Sequence, residues 1–180
     1  MNPQPLDTGA FQIRVATRSD LETLLEFRMG MIGDIFAAGE SKPPWDPRAV
    51  RQAKERWLEA HMDGDFVAWL AEIDGVPAGT AAILWYPHPP GPRNLSGLEA
   101  YILNVYTKPE FRRRGIARAL MARAIEEARN VGIGRIWLRA SSEGRPLYEE
   151  LGFGASNYFE LASENAPGDD RANPGLPAIH

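Results

Sequence analysis

The 180-residue chain contains no cysteine, which excludes a disulfide framework, a thiolate metal site and a cysteine nucleophile. Its three histidines, His61, His88 and His180, are too scattered for metal-ligand spacing, so no metal is expected. No apolar run approaches the roughly 18 residues of a membrane span. The start, Met1-Asn2-Pro3-Gln4-Pro5, has neither the basic flank nor the apolar stretch of a secretory signal. These absences lead to the expectation of a cytoplasmic protein with no membrane partner. A formal charge of −4 argues against a nucleic-acid partner, although arginines concentrate at 112–114. There is no internal repeat. Neither a Gly-x-Gly-x-x-Gly after the first strand nor a Gly-x-x-x-x-Gly-Lys-(Ser/Thr) loop is present, which disfavours dinucleotide and nucleoside-triphosphate chemistry.

What is present suits one buried core: 44% hydrophobic and 24% charged residues over a length short for two domains. Residues 1–10 read as a loose leader. Phe11 to Val15 alternates apolar and polar, the period of a half-buried strand. Thr17 to Asp20 offers helix caps before Leu21, Leu24, Leu25 and Phe27, which recur at helical spacing. Gly30 and Gly33 are expected to loosen that helix's end, and residues 37–47 to form a loop. A second helix from Pro47 includes Val50, Ala53, Trp57, Leu58 and Met62. Phe66–Glu72 and Val76–Tyr86 read as strands joined at Asp74-Gly75. After a proline-rich loop, Leu98–Tyr106 is the next strand.

A helix from Arg114 to about Asn130 follows, with Ala117, Leu120, Met121, Ala124, Ala128 and Val131 on its inner face. Arg135–Ala140 is a further strand, Pro146–Leu151 a short helix capped by Gly152, and Phe153–Leu161 supplies the last one or two strands. The composition from Ser163 onward reads as a flexible tail. The order β-α-α-β-β-β-α-β-α-β describes a mixed α/β domain over residues 11–162, its sheet flanked by helices.

The most informative stretch is Val105-Tyr106-Thr107-Lys108-Pro109-Glu110-Phe111-Arg112-Arg113-Arg114-Gly115-Ile116-Ala117. A strand runs into a basic turn and a glycine opens a helix, so unpaired N–H groups and positive charge converge on one point. Without a Cβ, Gly115 lets the helix N-terminus approach a diphosphate closely. Ala117 is the next smallest choice at the second close position. Amides of residues 113–118 can donate to phosphate, and Arg112, Arg113 and Arg114 add charges able to form forked contacts. The alternative is a turn glycine beside solvated arginines.

The spacing Arg-x-x-Gly-x-Ala resembles the acetyl-CoA motif of the GCN5-related N-acetyltransferases. A second block, Ala140 to Phe153, resembles that family's Leu-Tyr-Glu-x-Leu-Gly-Phe ending, and Arg14 to Thr17 with Asp20-Leu21 resembles its start. The resemblance spans residues 11–161 and implies a central mixed, mostly antiparallel sheet flanked by helices. It also implies acetyl-CoA as donor and a primary amine of a small molecule or peptide as acceptor. The strand before the turn is expected to splay from its neighbour and offer the peptide groups of Val105, Tyr106 and Thr107 to the pantetheine arm. Cofactor contacts extend to Ile116 and Arg118.

Tyr148 matches the tyrosine that protonates the departing thiolate in resembling enzymes. A phenol suits that task because it is neutral at pH 7; the alternative is a packed tyrosine on an amphipathic helix. Ser141 and Ser142 either hydrogen-bond the cofactor or cap the next helix. The glutamate that some relatives carry on the strand at 135–140 is replaced by Trp137. Glu99 and Asn104 are its substitutes: Glu99 as a base or merely an edge charge, Asn104 positioning the amine or a water. Acceptor specificity is assigned to the variable regions. There Met29, Met31, Phe36 and Trp45 could wall an apolar pocket and Glu40, Asp46 and Glu99 could attract a cation. A homodimer through the last strands follows only by analogy, and a non-catalytic CoA-binding sensor is the alternative function.

Overall fold

Period-two alternation decides how the sheet divides its side chains between two helical layers. In β3 (Phe66–Ile73), Phe66, Ala68 and Leu70 enter one hydrophobic cluster while Val67, Trp69 and Ala71 enter the other. The strand is therefore covered on both faces and reads as a nearly continuous apolar run. One cluster gathers Ile13, Trp69, Ile83, Ile102, Ile116, Leu120 and Met121 beneath α3 (Ile116–Asn130). The other gathers Leu24, Leu25, Phe27, Leu58 and Leu70 beneath α1 (Leu21–Ala37) and α2 (Pro47–His61).

The computed structural model describes residues 6–7, 10–37, 46–92 and 94–156, apart from the side chains of residues 6, 7, 36 and 37. Six strands lie in chain order: β1 (Leu6–Asp7), β2 (Gln12–Val15), β3, β4 (Val76–Pro87), β5 (Leu98–Thr107) and β6 (Ile136–Leu138). All neighbours are antiparallel except β5 and β6, which are parallel. A short α4 (Arg145–Glu150) follows β6. The mixed, mostly antiparallel sheet flanked by helices is thus as expected. Ile73 faces Val76 across the Asp74-Gly75 turn, as the hairpin signal required.

Several local expectations need correction. Residues 6–7 of the supposed leader pair with Gln12 and Ile13 as an edge strand. The first helix does not loosen at its glycines but continues through both to Ala37. Gly30 serves packing instead, since a Cβ there would lie 3.3 Å from the Tyr106 hydroxyl. On α3, Val131 is 50% exposed and follows the helix; Ile116, Arg123 and Ile125 are the buried residues that periodicity passed over. Residues 38–45 of the expected loop, the strand residues 157–161 and the tail from 163 lie outside the described residues; 153–156 form no strand.

A buried charge network pins the entry of α1 to the sheet. Arg14 of β2 donates to both carboxylate oxygens of Asp20 at 2.7 Å, and to Glu72 of β3 at 2.7 and 3.0 Å. Asp20 also accepts from the Thr17 N–H at 2.8 Å, closing a capping box. The Arg14 guanidinium holds the Asp20 carboxyl down at about 2, against desolvation that pushes it the other way.

Candidate acyl-donor and acceptor site

The donor end is built from backbone. β5 carries one extra residue against β4 between the Thr80–Tyr106 and Ala82–Leu103 pairs, and Asn104 takes φ +55° there. Such a bulge turns the strand and re-aims its peptide groups. β6 accompanies β5 only along Ala100–Ile102. Among the described residues, the same edge of β5 from Leu103 to Thr107 has no strand partner. The expected splay is therefore present, beside Val105, Tyr106 and Thr107.

Beyond it a single turn of 3₁₀ helix, Pro109–Phe111, leads into the arginines. Arg113 has φ +64° and Gly115 φ +80°; Gly115 is the N-cap of α3, with no side-chain cap and no acid in the first turn. The first helical amide to find a partner is Ala119, bonded to the Gly115 carbonyl at 3.0 Å. Among the described residues, the amides of Arg113 to Arg118 have no acceptor. Successive free N–H groups at a left-handed turn and a helix N-terminus form an anion cradle.

α3 can start here only because Gly79 of β4 is small. A Cβ at Gly79 would lie 2.9 Å from both Ile116 Cγ2 and the Tyr106 carbonyl oxygen. Ile116 itself is a core side chain, 1% exposed, so its backbone rather than its side chain faces the cradle. The Thr107 hydroxyl is buried without a partner. Glycine inside an apolar strand is the signal by which Gly79 could have been singled out.

The arginines are differently engaged. Arg112 pairs with Asp34 of α1, donates to the Thr107 carbonyl at 3.2 Å and stacks over Tyr106. The Tyr106 hydroxyl donates to the same Asp34 at 3.0 Å, and burial followed by that carboxylate pushes the phenol up to about 12. Arg114 lies over Phe111 and Arg118 pairs with Glu150. Arg113 is exposed and, among the described residues, has no acidic partner. The Asp34 latch had no sequence signal, because its partners are about 70 residues away.

Tyr148 sits on α4, 9% exposed, in the α3-side cluster with Ile102, Ile116 and Leu120. Its ring packs edge-on to Phe153 at 6.3 Å and over Gly144, and its hydroxyl donates to no described group. Burial, then the neighbouring Tyr101, pushes the phenol up, so it stays protonated at neutral pH. α4 is held in register by a terminal turn in which Gly152 N–H bonds Glu149 and Phe153 N–H bonds Tyr148, both at 3.0 Å. The Ser141 hydroxyl accepts the Gly144 N–H at 3.1 Å in the turn before α4, whose N-cap, Gly144, has no side-chain cap bond. Ser142 is exposed with no described partner.

The acceptor side departs further from expectation. Glu99 is buried at 4% and ion-paired with Arg135 at 3.0 Å. Asp46 caps α2 by accepting from the Arg48 N–H at 2.9 Å. Met29 and Met31 are half-buried on α1. The side chain of Phe36, and Glu40 and Trp45, lie outside the described residues. Tyr101 and Trp137 stack at 4.2 Å, with Tyr86 edge-on to Trp137 at 6.1 Å.

This arrangement of sheet, splay and cradle has relatives. The family model described as "Acetyltransferase (GNAT) family" matches residues 32–153, and the chain belongs to that family. A predicted acetyltransferase from Clostridium acetobutylicum, solved with acetyl-CoA, is 30% identical with a TM-score of 0.76. The match covers 84% of this chain and 96% of that one. A GCN5-related N-acetyltransferase from Ralstonia eutropha is 28% identical, also at TM-score 0.76, covering 85% and 98% of the two chains. The ribosomal protein bS18-alanine N-acetyltransferase of Salmonella typhimurium is 38% identical over 71 residues, 36% of this chain and 48% of that protein. An uncharacterized N-acetyltransferase of Methanocaldococcus jannaschii is 30% identical over 149 residues, 79% of this chain and 60% of its own length. The chain thus spans about half the length of the first of these curated relatives. No helix among the described residues is long and apolar enough to cross a membrane.

Proposed function

We propose that this protein is an N-acetyltransferase that moves an acetyl group from acetyl-CoA to a primary amine by direct attack. The observation that carries the reading is the set of amides from Arg113 to Arg118 that have no acceptor among the described residues, beside a strand edge with no strand partner among them. Diphosphate oxygens would satisfy those donors. The peptide groups of Val105 to Thr107 would hold the pantetheine arm, and the partnerless Thr107 hydroxyl is a further donor there. Arg113 is available to phosphate directly, whereas Arg112 must first leave Asp34 or act through it.

In the transfer the amine nitrogen attacks the thioester carbon, the C–S bond breaks, and Tyr148 delivers its proton to the departing thiolate. Water returns a proton to Tyr148 and takes one from the new amide nitrogen. With no cysteine there is no acyl-enzyme through a thiol. We assign Glu99 to its ion pair with Arg135 rather than to base catalysis. Asn104, at the bulge, positions the amine or a water.

The test is Tyr148→Phe. Thiol release from acetyl-CoA should fall roughly 100-fold or more, within the range for a lost general acid, while acetyl-CoA affinity by calorimetry holds. Equal turnover would remove Tyr148 from the chemistry. A wild-type protein that binds acetyl-CoA but acetylates no amine would instead favour a CoA sensor.

A further inference from the structure

Two cations on the helices that cover one face of the sheet, Arg28 and Lys54, have no carboxylate partner among the described residues. Ala100 and Ile102 of β5, and Ile136 and Leu138 of β6, face the α3-side cluster. Tyr101 and Trp137 must therefore project to the α1/α2 side, where they stack on one another. The α3 side of the splay is closed by packed side chains, so an acceptor has to reach a thioester held beside β5 from this aromatic face. α1 packs on this face of β5, with Phe27 edge-on to Tyr106 at 6.1 Å; the charges of Arg28 on α1 and Arg139 just beyond β6 act on Tyr101, and Lys54 on α2 feels the charge of Arg28.

Arg28 and Lys54 are both half-buried. The polar contact of Arg28 is the Met31 sulfur, 3.9 Å from its Nη1, and among the described residues neither cation has a carboxylate partner. The acid on this face of β5, Glu99, is taken by Arg135. Removing a cation from water without a counter-charge is costly. Burial accordingly pulls the Arg28 guanidinium down, and burial with the Arg28 charge brings Lys54 down to about 8. Such uncompensated groups cluster at functional sites.

Resting on the acetyl-transfer reading above, we propose that the acceptor is a small amine bearing an oxyanion, a carboxylate or phosphate, held by Arg28 and Lys54. Its body lies against the Tyr101–Trp137 stack. The oxyanion supplies the missing counter-charge and forms charge-assisted hydrogen bonds with the guanidinium. The aromatic pair gives the remainder of the acceptor a flat apolar wall. A polycationic acceptor is repelled by the same residues.

The test uses matched acceptors with the full chain and acetyl-CoA: phenylalanine against phenylalaninamide, and phosphoethanolamine against ethanolamine. The oxyanion-bearing member of at least one pair should be preferred in kcat/KM, and which pair shows it separates carboxylate from phosphate. Arg28→Met or Lys54→Met should lower kcat/KM for that acceptor roughly 10- to 100-fold, mainly through KM, and narrow the preference within its pair. Acetyl-CoA affinity should not move. Binding is read separately from chemistry by the rise in Tm that N-acetylphenylalanine or N-acetylphosphoethanolamine gives with CoA present. That rise should disappear in either variant.

A Tm rise lost in the variants, without turnover of any amine, would keep the anion site and sink acetyl transfer. Neutral amines turned over as well as or better than their charged partners would sink the anion site and keep acetyl transfer. A preference unchanged in both variants would also overturn the assignment.

Discussion

The two ends of the candidate site are made of different material. At the proposed donor end the recognising groups would be peptide N–H groups, exposed by a bulge, a left-handed turn and a helix start, and the side chains that matter there are the small ones. At the proposed acceptor end they would be large side chains from α1, α2, β5 and β6: Arg28, Lys54, Tyr101 and Trp137. A backbone site tolerates sequence change as long as its geometry survives, so it is sensitive to volume. A side-chain site is sensitive to charge and shape at single positions, and can be rewritten without disturbing the fold. On the proposed function, one end would hold a constant donor while the other would be free to vary with the acceptor.

The contrast can be broken most sharply at Gly79. Gly79→Val should push the first turn of α3 off β5 and cut acetyl-CoA affinity by roughly 100-fold or more, on top of an overpacking cost of about 1–3 kcal/mol. Calorimetric titration and a thermal melt check the two parts. An unchanged affinity would show that the cradle does not depend on close approach of Ile116 to the sheet.

Next in size is the network outside both ends. Asp20→Asn should cost about 1–2 kcal/mol of stability at pH 7, because the folded carboxyl titrates near 2 and the unfolded one near 3.8. The folded value is the lower one, so this contribution is present above pH 3.8 and is lost as pH falls toward 2. Denaturant titrations of both proteins between pH 2 and 7 should converge at the acid end. Acetyl-CoA affinity at pH 7 should stay the same; a large fall would mean the α1 entry shapes the donor end as well.

Smaller still is the latch joining the two ends. Asp34→Asn should release Arg112 toward phosphate and tighten acetyl-CoA binding by about 2- to 5-fold, with a steeper salt dependence. Weaker binding would instead make Asp34 a brace that orients Arg112. The smallest catalytic effect is expected at Glu99. Glu99→Gln should change kcat by less than about 10-fold and leave the basic limb of the pH–rate profile in place. Loss of that limb would restore Glu99 as the general base.

How much was legible follows the same division. The cradle at Arg113–Arg118 and α4 with Tyr148 could be found from sequence because their spacing is local. A few consecutive residues place a glycine, an unfilled helix turn and a tyrosine in fixed relation. Which charges would face an acceptor could not be read from sequence, for the opposite reason. Asp46 and Glu99 look like free acids in the sequence, but one is spent on a helix cap and the other on Arg135. Nothing local in the sequence marks Arg28 and Lys54, which lie half-buried on different helices with no carboxylate partner among the described residues. Gly30 read as a helix breaker because its packing partner, Tyr106, is 76 residues later.

By itself the sequence determined the order of elements from β2 to α4 and the basic turn that opens α3. Periodicity and glycine placement act over a few residues and need no knowledge of what lies across the sheet. Only the tertiary structure decided which charges are neutralised, that Gly79 underlies the α3 start, and that Arg28 and Lys54 are half-buried with no carboxylate partner among the described residues. Pairing and desolvation depend on distances between segments far apart in the chain, and those distances exist only once the helices have packed onto both faces.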